Sequence, residues 1–384
     1  MNNHNTQTRF KLFPWMPILL AVFLFLADKV LLHPEVRLRL QNWRHMSGAV
    51  YATRALVLER FARELPDHRA RGEKAGIVLG ASRSAAFDTR LMAQLRPGTY
   101  AYSFHASGAP PSDYYYSFEK LTALTNDIAY VIIEFDPPHL LPTTATLSLA
   151  HSYDADFMAR HVEPHRPTFR DPWNARGKGF SFDEGETWLL KRLFASYRYP
   201  PSRPRMNDVR IPHPEKKGEM ITLLDLKRKL LQDIPRRMVA NRGSFPGGLM
   251  FARTPRALQK HAEQTERRYL RNFRAAPSQV IFLRKLLRSA AERRIPTLIY
   301  WPVVARPMRA RMRKAGLVEP WQNKIAAYAR SLEREFPGAH TRIIDLNDDD
   351  SFQCRRFLDS FHLSAECYPA LTRALLKRLP PRSH

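Results

Sequence analysis

Short apolar runs alternate with amphipathic segments along much of the chain. The runs that predict strands are Ala75–Leu79, Thr99–Phe104, Ala129–Phe135, Thr297–Tyr300 and Ile343–Leu346. Segments with helical spacing of apolar residues lie between them. Strands separated by helices predict a doubly wound, mainly parallel five-stranded sheet that is covered on both faces. The predicted fold class is therefore α/β.

The region between the third and fourth predicted strands breaks this alternation. Residues 137–276 are rich in proline, arginine and aromatic residues, and several helices are predicted within them. We interpret this region as a largely helical, basic insertion or cap. The predicted α/β domain consists of residues 75–136 and 277–384, and residues 33–74 form a helix that links it to the N-terminal segment.

The N-terminal segment, residues 1–32, predicts a membrane anchor behind a short tail. Leu12–Leu32 is apolar except for Asp28 and Lys29, and it is long enough to cross a bilayer. Arg9 and Lys11 precede it and no small-residue cleavage site follows, so we predict a retained single-pass signal anchor in the inner (cytoplasmic) membrane. A buried core helix is the alternative. Basic residues flank both ends, but one large domain behind an anchor favours the outer, periplasmic side.

The charge of the chain indicates an anionic partner. Its 62 lysines and arginines exceed its 36 aspartates and glutamates, which gives a formal net charge of +26. Phospholipid headgroups, an acidic glycan or nucleic acid would each complement this charge. A solvated arginine-rich surface is the alternative. The chain has no paired Cys/His finger and no aromatic RNA-binding strand signature, so nucleic acid is the least favoured partner.

Two distant stretches carry residues suited to nucleophilic catalysis. Gly80-Ala81-Ser82-Arg83-Ser84 follows the first predicted strand, and Asp359-Ser360-Phe361-His362 lies near the end of the chain. Together they supply a hydroxyl nucleophile, an imidazole base and a carboxylate that can orient the base. The alternatives are that Ser82 or Ser84 caps a helix, and that Asp359 and His362 cap the last helix.

The predicted topology brings these stretches to one edge of the sheet. Ligands of such sheets bind beyond the carboxyl ends of the strands. Residues with polar groups or special backbone freedom follow each predicted strand there: Ser82, Gly108, Glu134 with Asp136, the basic run Arg306, Arg309, Arg311, Arg313 and Lys314, and Asp359 with His362. Glu134 and Asp136 can act as paired acids, or they can cap the strand end and pair with an arginine.

These residues resemble the SGNH hydrolase superfamily. Gly80-Ala81-Ser82-Arg83-Ser84 is similar to its first block, Gly-Asp-Ser-x-Ser, with Ala81 in place of the Asp. Gly108 matches the glycine of the second block, and Asp359-x-x-His362 matches the fifth. The resemblance spans residues 76–136 and 296–379. Because of the predicted anchor, it is nearest to membrane-bound members that act on envelope polymers, such as the D-alanyl transfer proteins of teichoic acid synthesis and the alginate O-acetylation proteins.

The resemblance implies a flavodoxin-like sheet and specific roles. Ser82 would attack an acyl carbonyl, His362 would accept its proton, and Asp359 would hold the imidazole. The backbone N–H groups of Ser82 and Gly108 would form the oxyanion hole. One feature departs from the superfamily, because strand three ends in Glu134-Phe135-Asp136 and lacks the Asn that usually supplies an oxyanion donor. This departure favours the anchored transferases, or a domain that has lost catalysis.

We therefore predict a membrane-anchored serine acyltransferase or esterase that acts on O-acyl groups of a cell-envelope polymer. No cofactor or metal is predicted, and the expected partners are an acylated envelope glycan or lipid and a membrane-embedded acyl-donor protein. Arg83, Arg306 and Arg309 are candidates for binding an anionic substrate group, or else form salt bridges and a solvated helix face. The alternative function is an inactive module that binds an anionic glycan, a lipid surface or an acyl-donor protein.

Cys354 and Cys367 can form a disulfide around the Asp359–His362 segment or remain free thiols.

Overall fold

The computed structural model describes most of the chain and divides it into two compact units. The described residues are 15–40, 47–142, 145–164, 171–199, 210–212, 219–245, 252–349 and 352–380. One unit comprises Met1–Met46 and Glu186–Gln232, and the other comprises Ser47–Gly185 and Asp233–His384. These limits do not coincide with the predicted boundaries after residues 32, 74, 136 and 276.

The larger unit is built on one five-stranded sheet. Its strands are β1 (Lys74–Gly80), β2 (Thr99–His105), β3 (Ile128–Glu134), β4 (Thr297–Trp301) and β5 (Thr341–Asp345). All four strand pairs are parallel, and the spatial order is β2-β1-β3-β4-β5. The predicted five-stranded parallel sheet is confirmed. The chain moves outward from β1 to β2 and then returns to β3 on the other side of β1, which places the topological switch point at the carboxyl ends of β1 and β3.

Alternate side chains of the strands enter two separate hydrophobic cores. Ile77 and Val131 pack in one core, whereas their neighbours Val78 and Ile132 pack in the other. This period of two is expected of a strand whose faces are both covered. Every residue of β2, β3 and β4 is buried. The sheet is therefore covered on both faces, as the continuous apolar runs predict.

Helices cover both faces of the sheet and make up most of the remaining structure. In chain order they are α1 (Met16–Lys29), α2 (Pro34–Leu40), α3 (Ser47–Ala70), α4 (Thr89–Leu95), α5 (Pro111–Leu124), α6 (Ala145–His151), α7 (Ala155–His161), α8 (Phe182–Leu193), α9 (Ala195–Arg198), α10 (Leu223–Ala240), α11 (Pro255–Thr265), α12 (Pro277–Glu292), α13 (Arg306–Lys314), α14 (Glu319–Glu335) and α15 (Tyr368–Lys377). Helices α3, α5 and α12 contribute to the first core, and α4 and α15 contribute to the second.

Two predicted segments differ in detail from the structure. The predicted linking helix, residues 33–74, is in fact two helices, α2 and α3. Helix α3 is part of the α/β unit, because its Val57 and Phe61 are fully buried in the first core. The predicted insertion is largely helical, with α6 to α11, but it also contains a short antiparallel ribbon of Arg210–Pro212 with Met220–Thr222. Three-residue strands carry too little periodicity to be recognised in a sequence.

The N-terminal helix α1 is exposed and apolar. None of its 14 residues is buried. In the described part of the chain, no helix combines the length and the apolar character that crossing a membrane requires. The predicted membrane-spanning segment is therefore not confirmed. Residues 12–14 of that segment, together with Arg9 and Lys11, lie outside the described residues.

Contacts within the smaller unit explain why the apolar stretch contains an acidic residue, Asp28. The carboxylate of Asp28 accepts hydrogen bonds from the backbone N–H groups of Ala195 and Ser196, at the start of α9. Phe25 packs edge-on against Phe194 with 6.1 Å between ring centroids. Asp28 thus satisfies two of the N–H groups that a helix start leaves without intrahelical partners.

Candidate active site

The serine turn follows β1 and is held by a carboxylate from β3. Ser82–Ser84 form a single 3₁₀ turn directly after Gly80 and Ala81. Glu134, the last residue of β3, accepts hydrogen bonds from the Ala81 N–H at 3.0 Å and from the Ser84 hydroxyl at 2.7 Å. Because β1 and β3 are adjacent and parallel, their carboxyl ends meet, and Glu134 fixes the backbone on both sides of Ser82.

Gly80 is required by the close approach of this turn. A Cβ at position 80 would lie 2.0 Å from the Ser84 Oγ and 2.8 Å from the Glu134 Oε2. Any side chain there would displace the two groups that hold the turn.

The interpretation of Ser82 or Ser84 as a helix cap is wrong. Helix α4 begins only at Thr89, and its cap is Asp88, whose carboxylate accepts from the N–H groups of Arg90 and Leu91. The Ser84 hydroxyl is instead directed to Glu134 and to the Tyr300 hydroxyl. The Ser82 hydroxyl has a different partner, which comes from the far end of the chain.

The segment that carries Asp359 and His362 forms a tight loop after β5. A bridge between Phe357 and Leu363 closes it, and the Leu358 N–H donates to the His362 carbonyl at 2.8 Å. The Ala305 N–H, which follows β4, donates to the Ser360 carbonyl at 3.0 Å. The loop therefore has a defined position beside the ends of β4 and β5, and it does not cap α15.

Ser82, His362 and Asp359 meet as a hydrogen-bonded triad. The Ser82 Oγ lies 2.7 Å from the His362 Nε2, and the His362 Nδ1 lies 2.9 Å from each carboxylate oxygen of Asp359. Because Nδ1 faces a carboxylate, it carries the proton, and Nε2 is left to accept the proton of the Ser82 hydroxyl. The structure thus brings together the three side chains that the sequence predicts as catalytic, from segments 280 positions apart.

The environment of Asp359 keeps this residue ionised. Burial alone raises its pKa, but the hydrogen bond from His362, the electrostatic interaction with that imidazole and the hydrogen bond from the Phe361 N–H outweigh burial, so the pKa lies well below its usual range. The Asp359 Oδ1 accepts from the backbone N–H groups of Phe361 and His362 at 2.8 and 2.9 Å. A carboxylate held in this way can orient an imidazole and stabilise its protonated form.

The triad opens into a small cavity that also contains Gly108. The cavity has a volume of about 170 Å³, and Ser82, His362, Gly108, Tyr269 and Phe361 are among its lining residues. Gly108 lies in the turn after β2 with a φ of +66°, a conformation that disfavours other residues, and a Cβ there would meet no atom within 4 Å. Ser82 and Gly108, the two predicted oxyanion donors, therefore line the same cavity.

Arg83 does not present its guanidinium to this cavity as a free anion-binding group. It is buried, its Nε donates to Glu134 at 2.9 Å, and its two terminal nitrogens contact Asp136 and His139. Burial opposes its charge, but Asp136 and Glu134 outweigh burial and raise its pKa. The prediction that Arg83 binds substrate is corrected to a structural role, and the alternative that Glu134 and Asp136 pair with an arginine is confirmed.

His139 is a further polar residue of the triad cavity. Burial lowers its pKa, and its Nε2 lies 2.8 Å from the Arg83 guanidinium. Sequence reasoning missed His139 and also Tyr269. The spacing Asp136-x-x-His139 after a buried strand was a usable signal for His139, because it places His139 in the turn capped by Asp136. Tyr269 lies in a π-helical turn far along the chain and gave no such signal.

Comparison with known proteins places this chain in a family without an assigned activity. Residues 10–379 match a family model described as a protein of unknown function, DUF1574. The chain belongs to the DUF1574 family. No curated protein matches it.

The other two predicted substrate-binding arginines of this DUF1574 protein lie outside the triad cavity. Arg306 is exposed at the start of α13, and Arg309 is buried and paired with Asp345 and Asp348. Both line a separate groove of about 1370 Å³. The structure does not bring them to Ser82.

A disulfide closes the segment that carries the acid and the base of the triad. Cys354 and Cys367, 13 positions apart, are joined, and Asp359 and His362 lie between them. Of the two alternatives that the sequence left open, the structure contains the disulfide.

Proposed function

We propose that this DUF1574 protein is a serine-dependent acyltransferase or esterase that acts on O-acyl groups of a cell-envelope polymer. The observation that carries the proposal is the chain of contacts from the Ser82 Oγ to the His362 Nε2 and from the His362 Nδ1 to both oxygens of Asp359. A structural serine needs no imidazole at 2.7 Å that a half-buried carboxylate orients in turn.

The proposed reaction begins when the Ser82 Oγ attacks the carbonyl carbon of an acyl ester. The hydroxyl proton passes to the His362 Nε2, while Asp359 stabilises the resulting imidazolium. The backbone N–H groups of Ser82 and Gly108 receive the oxyanion of the tetrahedral intermediate. Its collapse breaks the ester bond, and the leaving alcohol takes the proton from His362, so an acyl-Ser82 remains.

The second half of the reaction uses the same groups. A water molecule or an acceptor hydroxyl gives its proton to His362 and attacks the acyl-Ser82 carbonyl. The tetrahedral intermediate then expels the Ser82 alkoxide, which recovers the proton from His362. Water as acceptor makes the protein an esterase, and a polymer hydroxyl makes it an acyltransferase.

A test of this function compares fluorophosphonate labelling of the wild type with labelling of two serine variants. We expect a fluorophosphonate to modify the full-length protein, Ser82→Ala to abolish labelling, and Ser107→Ala to leave it unchanged. Ser107 is beside Gly108 but does not line the cavity. Both variants should keep the melting temperature of the wild type. Equal labelling of the Ser82→Ala protein would refute Ser82 as the nucleophile.

A second candidate function is a binding module without catalysis. It is favoured by the end of β3, where Glu134 and Asp136 are occupied by Arg83 and no Asn is present as an oxyanion donor. Such a module would bind an anionic glycan, a lipid surface or an acyl-donor protein. It predicts no fluorophosphonate labelling, whereas the enzyme predicts labelling at Ser82 alone.

We further propose that α1 attaches the protein to a membrane, with the α/β unit on the outer side. Leu20 and Phe23 of α1 are 58% and 65% exposed, as befits a helix surrounded by an apolar phase. The Cys354–Cys367 disulfide is typical of an oxidising compartment. We expect the wild type in the membrane fraction after lysis and Leu20→Glu with Phe23→Glu to reduce that fraction. A wild type found in the soluble fraction would refute the attachment.

A further inference from the structure

One groove of the α/β unit is lined by five arginines. These are Arg256, Arg306, Arg309, Arg313 and Arg355, and we name the site that they line the arginine groove. Among the lining residues that the structure describes, Asp348 is the one carboxylate. These described residues thus carry a formal charge of +4, from five arginines and one aspartate. A concave surface with one sign of charge concentrates ligands of the opposite charge.

The buried side chain of Arg309 gives this groove a preference for anionic ligands. The side chain is only 8% exposed, and its Nη2 pairs with Asp345 and Asp348. Its Nε and Nη1 have no hydrogen-bond partner among the described residues. Buried guanidinium N–H groups without acceptors are unfavourable. Because these nitrogens are enclosed, an anionic group would have to enter the wall of the groove to supply the acceptors.

Arg256 and Arg306 provide charge at the opening of the groove. Both are exposed, and no carboxylate of the described residues lies within salt-bridge distance of either. Arg256 is at the start of α11 and Arg306 is at the start of α13. Arginine forks bind carboxylates and phosphates with two parallel hydrogen bonds, so two such groups suit a ligand with repeated anionic substituents.

The size and the remaining lining favour a saccharide chain over a small anion. A volume of about 1370 Å³ exceeds the roughly 300–1,000 Å³ of small-molecule sites. Gln353 adds an amide group that can bind hydroxyls, and Gln259, whose amide nitrogen donates to Glu263, keeps its oxygen as an acceptor. A small anion would occupy only part of this volume, whereas a chain of sugar rings would fill it and present hydroxyls to these amides.

The arginine groove adjoins the triad through shared elements. Phe357 lines the groove, and two residues later in the same loop stands Asp359. Helix α11 contributes Arg256 to the groove, while its His261 Nδ1 lies 2.8 Å from the hydroxyl of Ser360, between Asp359 and His362. The groove and the triad therefore share the loop that carries the acid and the base, together with helix α11.

We propose that the arginine groove binds a carboxylate-bearing polysaccharide and holds it beside the triad. This inference rests on the proposed function for its catalytic meaning, but the binding itself does not depend on catalysis. The full-length Ser82→Ala protein is therefore the form in which to measure it.

The experiment measures polygalacturonate binding by titration calorimetry at 0.15 M salt. We expect Arg256→Glu with Arg306→Glu to weaken binding by about tenfold or more, because two guanidinium–carboxylate contacts are lost. The matched control is Arg330→Glu with Arg334→Glu, which makes the same charge change at exposed arginines of α14 outside the groove. We expect this control to bind as the parent protein does. Melting temperatures confirm that both variants fold.

Three results would overturn the inference: no binding of polygalacturonate, equal loss in the groove variant and its control, or binding of inorganic polyphosphate in place of polygalacturonate. The last result would mean that charge alone attracts the ligand. Absence of fluorophosphonate labelling at Ser82 would refute the proposed enzyme without changing any of these binding results, so the two failures are distinguishable.

Discussion

Replacing Asp359 with Asn tests the triad more sharply than removing the nucleophile. In the structure, the Asp359 Oδ1 accepts from the N–H groups of Phe361 and His362, and an Asn oxygen can keep both bonds. The amide nitrogen then takes the position of Oδ2, which is 2.9 Å from the His362 Nδ1. The Asn oxygen is also 2.9 Å from Nδ1 but already accepts two backbone N–H groups, so a donor at the Oδ2 position competes for Nδ1 and favours the tautomer with the proton on Nε2. That atom can no longer accept the Ser82 proton.

The expected decrease in kcat follows from the loss of a correctly protonated base. A wrong imidazole tautomer lowers kcat by on the order of 10⁴-fold in a Ser-His-Asp triad. This corresponds to about 5.5 kcal/mol of transition-state stabilisation. The loop itself should remain in place, because its backbone bonds to position 359 are kept.

The assay is the rate of fluorophosphonate labelling, with hydrolysis of p-nitrophenyl acetate as a second readout. The matched control is Asp127→Asn, which changes an exposed aspartate that pairs with Arg69 and should leave both rates unchanged. If Asp359→Asn kept more than a tenth of the wild-type rate while folding normally, the carboxylate would not orient the base and the proposed roles would be wrong.

Three further predictions concern stability. Arg83→Met leaves Glu134 and Asp136 buried without their cation, so we expect the free energy of unfolding to fall by about 3–5 kcal/mol in a urea titration; a change below 1 kcal/mol would contradict the structural role. Replacing Cys354 and Cys367 with Ser should cost about 3 kcal/mol, measured by thermal melting, and should lower labelling of Ser82; an unchanged melting temperature would contradict it. The pKa of Asp359 is lowered from 3.8 by folding, so its contribution is present above pH 4 and is lost as the pH falls further. The stability difference between the wild type and Asp359→Asn should therefore shrink from pH 6 to pH 3, and a constant difference would contradict the assignment.

The sheet and the triad could be predicted because their signals are local. Each strand is a continuous apolar run, and a parallel sheet brings the ends of all its strands to one edge. That rule and two short motifs were sufficient to predict that Ser82 and His362 lie close together. The same rule placed Glu134 beside the serine turn, although it did not tell which group Glu134 would bind.

The partners of the three candidate arginines could not be predicted in the same way. Arg83, Arg306 and Arg309 all follow sheet strands. Yet one is buried against carboxylates, one is exposed, and one is buried with two nitrogens that have no partner in the described part of the chain. Whether an arginine binds substrate or balances a buried acid depends on side chains that meet only after folding. Composition gives the number of charges but not their partners.

The ion cluster at the end of β3 has a consequence for the proposed chemistry. Glu134 holds Ala81 and Ser84, Asp136 and Glu134 hold Arg83, and Arg83 contacts His139. This cluster fixes the turn firmly, and it lies at the end of β3, where the resemblance to the SGNH hydrolase superfamily implies an Asn that donates to the oxyanion. The backbone N–H groups of Ser82 and Gly108 remain as the donors in our proposal. One missing donor lowers the rate by on the order of 10²–10³-fold. We therefore expect slow turnover of generic esters, and covalent labelling followed over hours is the readout that separates a slow nucleophile from an inert serine.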